Sequence, residues 1–179
     1  MGLDSVELIM SIEKHFDILY PDKEIQQANT IEELTLLTAK IIKVDNPIKP
    51  EFDAVYNLLK SYWNDDIKLY HLVNQYIKIN GVNIMAREVE LKIPNHSSLS
   101  FNQLKSWLNY YFIKWENLTV EDFINAIIIA NPNQFFTELI PNTIYGIYIT
   151  IARIIEDRIG CPIYDLQPRV HIFNELGID

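Results

Sequence analysis

The chain is poor in the residues that build disulfide-rich, turn-rich or nucleic-acid-binding proteins. Its 179 residues include one cysteine, Cys161, so no internal disulfide can form, and a reducing compartment such as the cytoplasm is the simpler prediction. Only five glycines are present, which favours helices over a fold of many tight turns. The 24 acidic residues outnumber the 15 basic ones for a formal net charge of -9, and this balance disfavours nonspecific binding to nucleic acid.

Long apolar runs are absent as well. The longest lie near 127–130 and 147–155 and fall short of the roughly 20 residues that a membrane helix needs. The N-terminus lacks the basic and then apolar pattern of a signal peptide. Hydrophobic residues still make up 49% of the chain, so it can bury a core. We therefore expect an all-α cytoplasmic protein with no membrane span, whose acidic surface suits partners with basic docking patches.

Helix start and stop signals divide the chain. Asp4 or Ser5 is a candidate N-cap for a first helix. Thr30 and Glu33 have the spacing of a capping box, and Thr119 is placed to cap a later helix. Residues 84–93 alternate like a short strand but have no clear pairing partner, so an extended segment and a frayed helix both stay open. The two prolines in 45–50 indicate a linker or sharp turn. The predicted helices cover 4–16, 31–44, 51–79 with a break near 64–66, 101–114, 119–130 and 142–160.

The first predicted helix has two apolar sides. At 100° per residue, one side forms an ordinary core stripe of Leu8, Ile9, Ile12 and Phe16. A second, narrower stripe contains Leu3, Val6 and Met10 and is bordered by Glu7 and Lys14. Two interpretations of the second stripe stay open: it faces residues 46–140, or it is a partner-docking strip, since exposed apolar patches rimmed with charge mark interfaces.

Three stretches resemble parts of an acyl or peptidyl carrier domain. VELIMSIEKHFDI (6–18) is similar to the second helix of that family, and PDKEIQQANTIEELTLLTAKI (21–41) resembles its short third helix and its fourth. ITIARIIEDRIGCPIYDLQPRVHIFNELGID (149–179) resembles its first helix and the loop that ends in F-x-x-L-G-x-D-S. The family positions in that loop are taken by Phe173, Leu176, Gly177 and Asp179.

Placed head to tail, these stretches resemble one circularly permuted member of the acyl carrier protein (phosphopantetheine-binding carrier domain) family. The resemblance implies a four-helix bundle formed by 1–45 together with 142–179, with N-terminal helices II–IV and C-terminal helix I. Residues 46–141 would then form a helical middle subdomain of unknown role. A monomer and a segment-exchanged dimer, in which one chain's C-terminal helix completes another chain, both fit this arrangement.

In the carrier family, a serine at the start of the second helix bears 4′-phosphopantetheine. Two registers compete here. In one, Gly2 to Ser5 matches G-x-D-S, which makes Ser5 the attachment residue and Asp4 its neighbour. In the other, VELIM aligns without a gap, the attachment serine would follow Asp179, and Ser5 falls in the core stripe. Helix phase favours the gap-free register, in which Ser5 is better interpreted as a helix cap than as an attachment site.

The same resemblance implies the binding surface and the partners. The partner-facing residues of the docking helix would be Leu3, Val6, Glu7, Met10 and Glu13. The partners would be enzymes of fatty-acid, polyketide or related biosynthesis. The predicted function is thus that of a carrier-like docking protein with a 4′-phosphopantetheine arm, or alternatively that of an arm-less scaffold or regulatory binding module.

The sequence offers no sign of catalysis. The four histidines lack metal-ligand spacing, so no metal is expected. Cys161 precedes a proline and is better interpreted as a small buried hydrophobe than as a nucleophile. Neither a glycine-rich phosphate loop nor a G-x-S-x-G elbow is present. We therefore predict a binding protein rather than an enzyme.

Overall fold

The computed structural model describes residues 3–63, 67–76, 118–136 and 141–176. Within these ranges the protein is mostly helical and has two isolated bridges but no β-strand, in agreement with the predicted all-α class. The strand-like segment 84–93, the predicted helix 101–114 and the positions of Gly177 and Asp179 lie outside the described residues. The helices are α1 (Leu3–Phe16), α2 (Asp22–Ile25), α3 (Ile31–Ile42), α4 (Pro50–Trp63), α5 (Val120–Ala130), α6 (Pro132–Phe135), α7 (Ile144–Ile159) and α8 (Ile172–Glu175), with 3-10 turns at Val73–Gln75 and Ile163–Asp165.

The chain divides into two compact units. Unit 1 combines Met1–Lys49 with Pro132–Asp179, and unit 2 is the single stretch Pro50–Asn131. The sequence places the boundaries after 45 and after 141, so unit 1 takes in more of both connections than the sequence indicates. In unit 1, α7 packs against both α1 and α3, and α2 packs against α3; in unit 2, α4 packs against α5.

The core of unit 1 follows the helical period of its three long helices. Each helix buries apolar residues three or four positions apart, which places them on one side. The core stripe predicted for the first helix is confirmed, with Ile9 half-buried at its edge. The buried positions are Leu8, Ile12 and Phe16 of α1, Ile31, Leu34 and Leu37 of α3, and Ile147, Ile151 and Ile155 of α7.

Capping side chains fix where the helices begin. At α3 the capping box is confirmed: Thr30 Oγ1 accepts the backbone N–H of Glu33 at 3.1 Å, and Glu33 Oε2 accepts that of Thr30 at 3.0 Å. Thr119 caps α5 by accepting the N–H of Asp122, also as predicted. Helix α7 begins after Thr143, whose hydroxyl accepts the N–H of Gly146 at 2.9 Å.

Two local predictions are wrong. Helix α1 already begins at Leu3, so Asp4 and Ser5 lie inside its first turn and neither is the N-cap. Residues 67–76, predicted as helix, form turns, a bridge and one 3-10 turn. The carbonyl oxygens of Leu69 and His71 instead accept backbone N–H groups at the start of α5, which is distant in sequence. These N–H groups have no partner within α5 itself.

The C-terminal segment likewise provides carbonyl oxygens for the backbone N–H groups at the start of α3. The carbonyl oxygens of Pro168 and Val170 accept the N–H groups of Glu32 and Ile31 at 2.7 and 3.3 Å. The N–H of Ile172 in turn donates to the carbonyl of Asn29 at 2.9 Å. Residues 168–172 therefore complete the start of α3 and tie the C-terminal half of unit 1 to its N-terminal half.

Candidate docking surface

Helix α1 has one buried side and one exposed side. Its buried side packs in the core of unit 1 through Leu8, Ile12 and Phe16. On the other side, Val6 is 43% exposed and Met10 is 60% exposed. Glu7 lies beside them and is also exposed. Within unit 1, the exposed side of α1 thus has the mixture of apolar and acidic side chains that the sequence predicts for docking.

The predicted docking residues are not all equivalent. Val6, Glu7 and Met10 share the exposed side. Glu13 is half-buried, and its Oε1 accepts the backbone N–H of Tyr20 at 2.8 Å. This carboxylate therefore stabilises the turn that follows α1. Leu3 is the first residue of α1, and its side chain lies outside the described part of the structure.

Ser5 lies on the buried side of α1. Its exposed fraction is 0%, in line with the gap-free register, which places it among the core residues. A modifying enzyme must reach the serine hydroxyl, and a phosphodiester arm needs space and water around its charge. The burial of Ser5 therefore argues against attachment at this position while α1 is folded. Asp4 would be the neighbour of an attachment at Ser5, and in the gap-free register the attachment serine would follow Asp179. The side chains of both aspartates lie outside the described part of the structure.

The turn after α1 is held by several hydrogen bonds. Asp17 adopts a left-handed conformation with φ 53°, and the N–H of Ile18 donates to the carbonyl of Glu13 at 3.0 Å. The hydroxyl of Tyr20 lies 2.5 Å from Thr38 Oγ1 of α3. Because Thr38 donates its own proton to the carbonyl of Leu34, Tyr20 is the donor in that pair. Sequence reasoning missed this cluster, since nothing in the local pattern pairs Tyr20 with α3.

Unit 1 is the more acidic of the two units. Most of the chain's formal net charge of -9 falls in the two stretches that form unit 1. Some of its acids are paired, as in the exposed Lys40–Glu24 ion pair at 2.7 Å. Glu7 has no ion pair among the described contacts and lies next to exposed apolar side chains.

The described residues show no alternative chemical centre. Among them, no group of three or more His, Cys, Asp or Glu side chains is placed to hold a metal ion. Burial raises the pKa of the half-buried Cys161 thiol to about 11, which keeps it protonated and weakly nucleophilic near neutral pH. In the same ranges, every helix is too short or too polar to cross a membrane.

Comparison of the chain with protein-family models, with curated proteins and with solved structures finds no match. The carrier-family assignment therefore stays a hypothesis that depends on the sequence motifs. The candidate surface is defined here by Val6, Glu7 and Met10 alone, and we call it the α1 surface.

Proposed function

We propose that unit 1 is a carrier-protein-like, circularly permuted bundle that binds biosynthetic enzymes through the α1 surface. The helix packing supports this proposal. If α1, α2 and α3 correspond to the family's second, third and fourth helices, then α7 corresponds to the first. A carrier bundle requires that first helix to pack on the second and fourth, and α7 packs on α1 and α3.

The observation that carries the proposal is the exposure of Val6 and Met10 on a helix whose other side is fully buried. When a partner covers neighbouring apolar side chains on one side of a helix, these side chains lose contact with water. This burial stabilises the complex by roughly 25 cal/mol per Å² of apolar surface. Glu7 and the acidic unit around it steer a basic partner toward this side of the helix. Apolar contacts then supply affinity, while the charges supply orientation and rate.

The arm-less form of this function has the stronger support. The arm-bearing form needs an accessible serine at the start of α1, and Ser5 is fully buried there. We therefore expect incubation with coenzyme A and a broad-specificity phosphopantetheinyl transferase to leave the intact mass unchanged. A gain of one phosphopantetheine group that disappears in Ser5→Ala would contradict the arm-less form.

The docking function is tested by reversing the character of one exposed residue. Met10→Lys places a positive charge on the α1 surface without touching the core, so the protein should fold normally. We expect it to weaken binding to a carrier-dependent ketosynthase or acyltransferase at least about tenfold, which corresponds to about 1.4 kcal/mol. Binding should be measured by calorimetry in low salt, where charge steering is strongest.

Leu36→Lys is the matched control. Leu36 is 50% exposed on α3, so the substitution is the same kind of change on a different helix. Binding that survives Leu36→Lys but not Met10→Lys supports the α1 surface. Equal loss in both variants, or no loss in either, would contradict it.

A further inference from the structure

The chain leaves and re-enters unit 1 at neighbouring points. The carbonyl of Asn46, near the end of the first stretch, accepts the backbone N–H of Ile144 at 2.9 Å. Ile144 is the first residue of α7 in the second stretch. Just before it, Pro141 lies so close to Gly146 that a Cβ on Gly146 would be 2.6 Å from the Pro141 Cβ. Unit 1 therefore holds both ends of the intervening chain in one place.

Because of this arrangement, folding of unit 1 closes a long loop of the chain. The packing of α7 on α1 and α3 can form only when the two ends of that loop meet, and the loop contains all of unit 2. If unit 2 is unfolded, closing a flexible chain of that length has an entropic cost that grows as about (3/2)RT ln n. If unit 2 is folded, α4 at the start of that chain and α5 near its end are already packed together, so the extra cost of closing the loop is small.

We propose that folding of the two units is linked through this loop, so that folded unit 2 stabilises unit 1 and with it the α1 surface. Linkage of this kind is reciprocal, and folded unit 1 stabilises unit 2 by the same factor. The effect follows from chain connection and concerns stability alone. It therefore stands or falls separately from the docking function proposed above.

The chain offers a separate probe for each unit. All three tryptophans belong to the stretch assigned to unit 2, and Trp63 packs against a buried ring there, so tryptophan fluorescence reports on unit 2 and contains no signal from unit 1. Amide hydrogen exchange in α1, α3 and α7 follows unit 1. Phe123 is fully buried in unit 2 and stacks on Trp63 with ring centroids 5.9 Å apart. Phe123→Ala removes that ring and destabilises unit 2 from within.

The experiment uses the full chain at a urea concentration that unfolds unit 2 in Phe123→Ala but not in the wild type. We expect the α1, α3 and α7 amides of the variant to exchange on the order of a hundredfold faster than in the wild type. Phe123→Leu should shift both probes by a smaller amount, and it replaces Phe123→Ala if that variant does not fold. Leu34→Ala, in the core of unit 1, should lower the tryptophan-monitored urea midpoint by the reciprocal effect.

Tyr70→Ser is the matched control, because Tyr70 is 74% exposed in unit 2 and its removal should leave both probes unchanged. Wild-type exchange rates in α1, α3 and α7, at a urea concentration where the fluorescence of Phe123→Ala shows unit 2 unfolded, would overturn the linkage.

Discussion

Tyr20 makes the stability of unit 1 sensitive to alkaline pH. Burial of its ring raises the pKa of its hydroxyl from 10.0 to about 12, with the nearby Glu13 carboxylate acting in the same direction. A group whose pKa is higher in the folded state contributes full stability below its unfolded pKa. That contribution is lost as the pH rises from about 10 to about 12. We expect the loss to reach roughly 2 to 3 kcal/mol at the upper end.

The measurement is the free energy of unfolding of the wild type and of Tyr20→Phe between pH 9 and 12. The wild type should lose stability more steeply, because the variant has no hydroxyl to ionise at position 20. The Cys161 thiol, with a pKa of about 11, is common to both proteins and cancels in the difference. Identical pH profiles would show that Tyr20 ionises as freely in the folded chain as in the unfolded one.

Helix α3 ends on a residue whose backbone conformation suits glycine. Lys43 has φ 60°, and its N–H donates to the carbonyl of Ala39. A side chain in this left-handed region costs free energy that glycine avoids. We expect Lys43→Gly to raise the free energy of unfolding by about 0.5 kcal/mol, since the greater freedom of glycine in the unfolded chain offsets part of the gain.

Gly160 provides the opposite substitution. It ends α7 with φ 69°, and a Cβ there would meet no atom within 4 Å, so Gly160→Ala tests backbone strain without a clash. It should lower stability by about 1 kcal/mol. Urea unfolding of the two variants and the wild type measures both changes in the free energy of unfolding. A loss of stability in Lys43→Gly would show that the Lys43 side chain stabilises the fold by more than the backbone strain destabilises it.

Local signals predict most of these elements because caps and apolar spacing are properties of a single helix. The Thr30–Glu33 capping box, the Thr119 cap and the end of α7 at Gly160 all follow from the sequence. Residues 67–76 do not, because their apolar spacing resembles a helix while their carbonyls pair with the start of α5, distant in sequence. The residues of α1 show the same contrast between what a local pattern predicts and what depends on the rest of the fold.

Helix phase places Val6, Glu7 and Met10 away from the core stripe of α1, but it leaves open whether that side is exposed or faces residues 46–140. It does not predict the role of Glu13, because the bond from the N–H of Tyr20 depends on the left-handed turn at Asp17. Nor does it predict where α1 begins. Ser5 has a side chain typical of a cap, yet the helix starts at Leu3 and the same phase that buries Leu8 and Ile12 also buries Ser5.

At the scale of the whole molecule, the two ends of the chain depend on each other. Helix α7 packs on both α1 and α3, and residues 168–172 complete the hydrogen bonds at the start of α3. A chain that ends after Asn131 would expose the buried sides of α1 and α3 and leave the first N–H groups of α3 to water. We therefore expect α1 and α3 to lose their protection from hydrogen exchange in that truncated chain.

A peptide of residues 132–179 added to the truncated chain tests whether packing and strand-like hydrogen bonding, rather than the covalent connection, specify unit 1. Protection of the α1 and α3 amides should return in proportion to peptide concentration, because association replaces loop closure. A peptide of the same composition in scrambled order should restore nothing. Full protection of α1 and α3 without any peptide would mean that the N-terminal stretch folds alone, which would contradict the formation of unit 1 from two separate stretches.

Recovery of protection with the added peptide would also show that a segment-exchanged dimer can form, since a second chain can supply the same residues at high protein concentration.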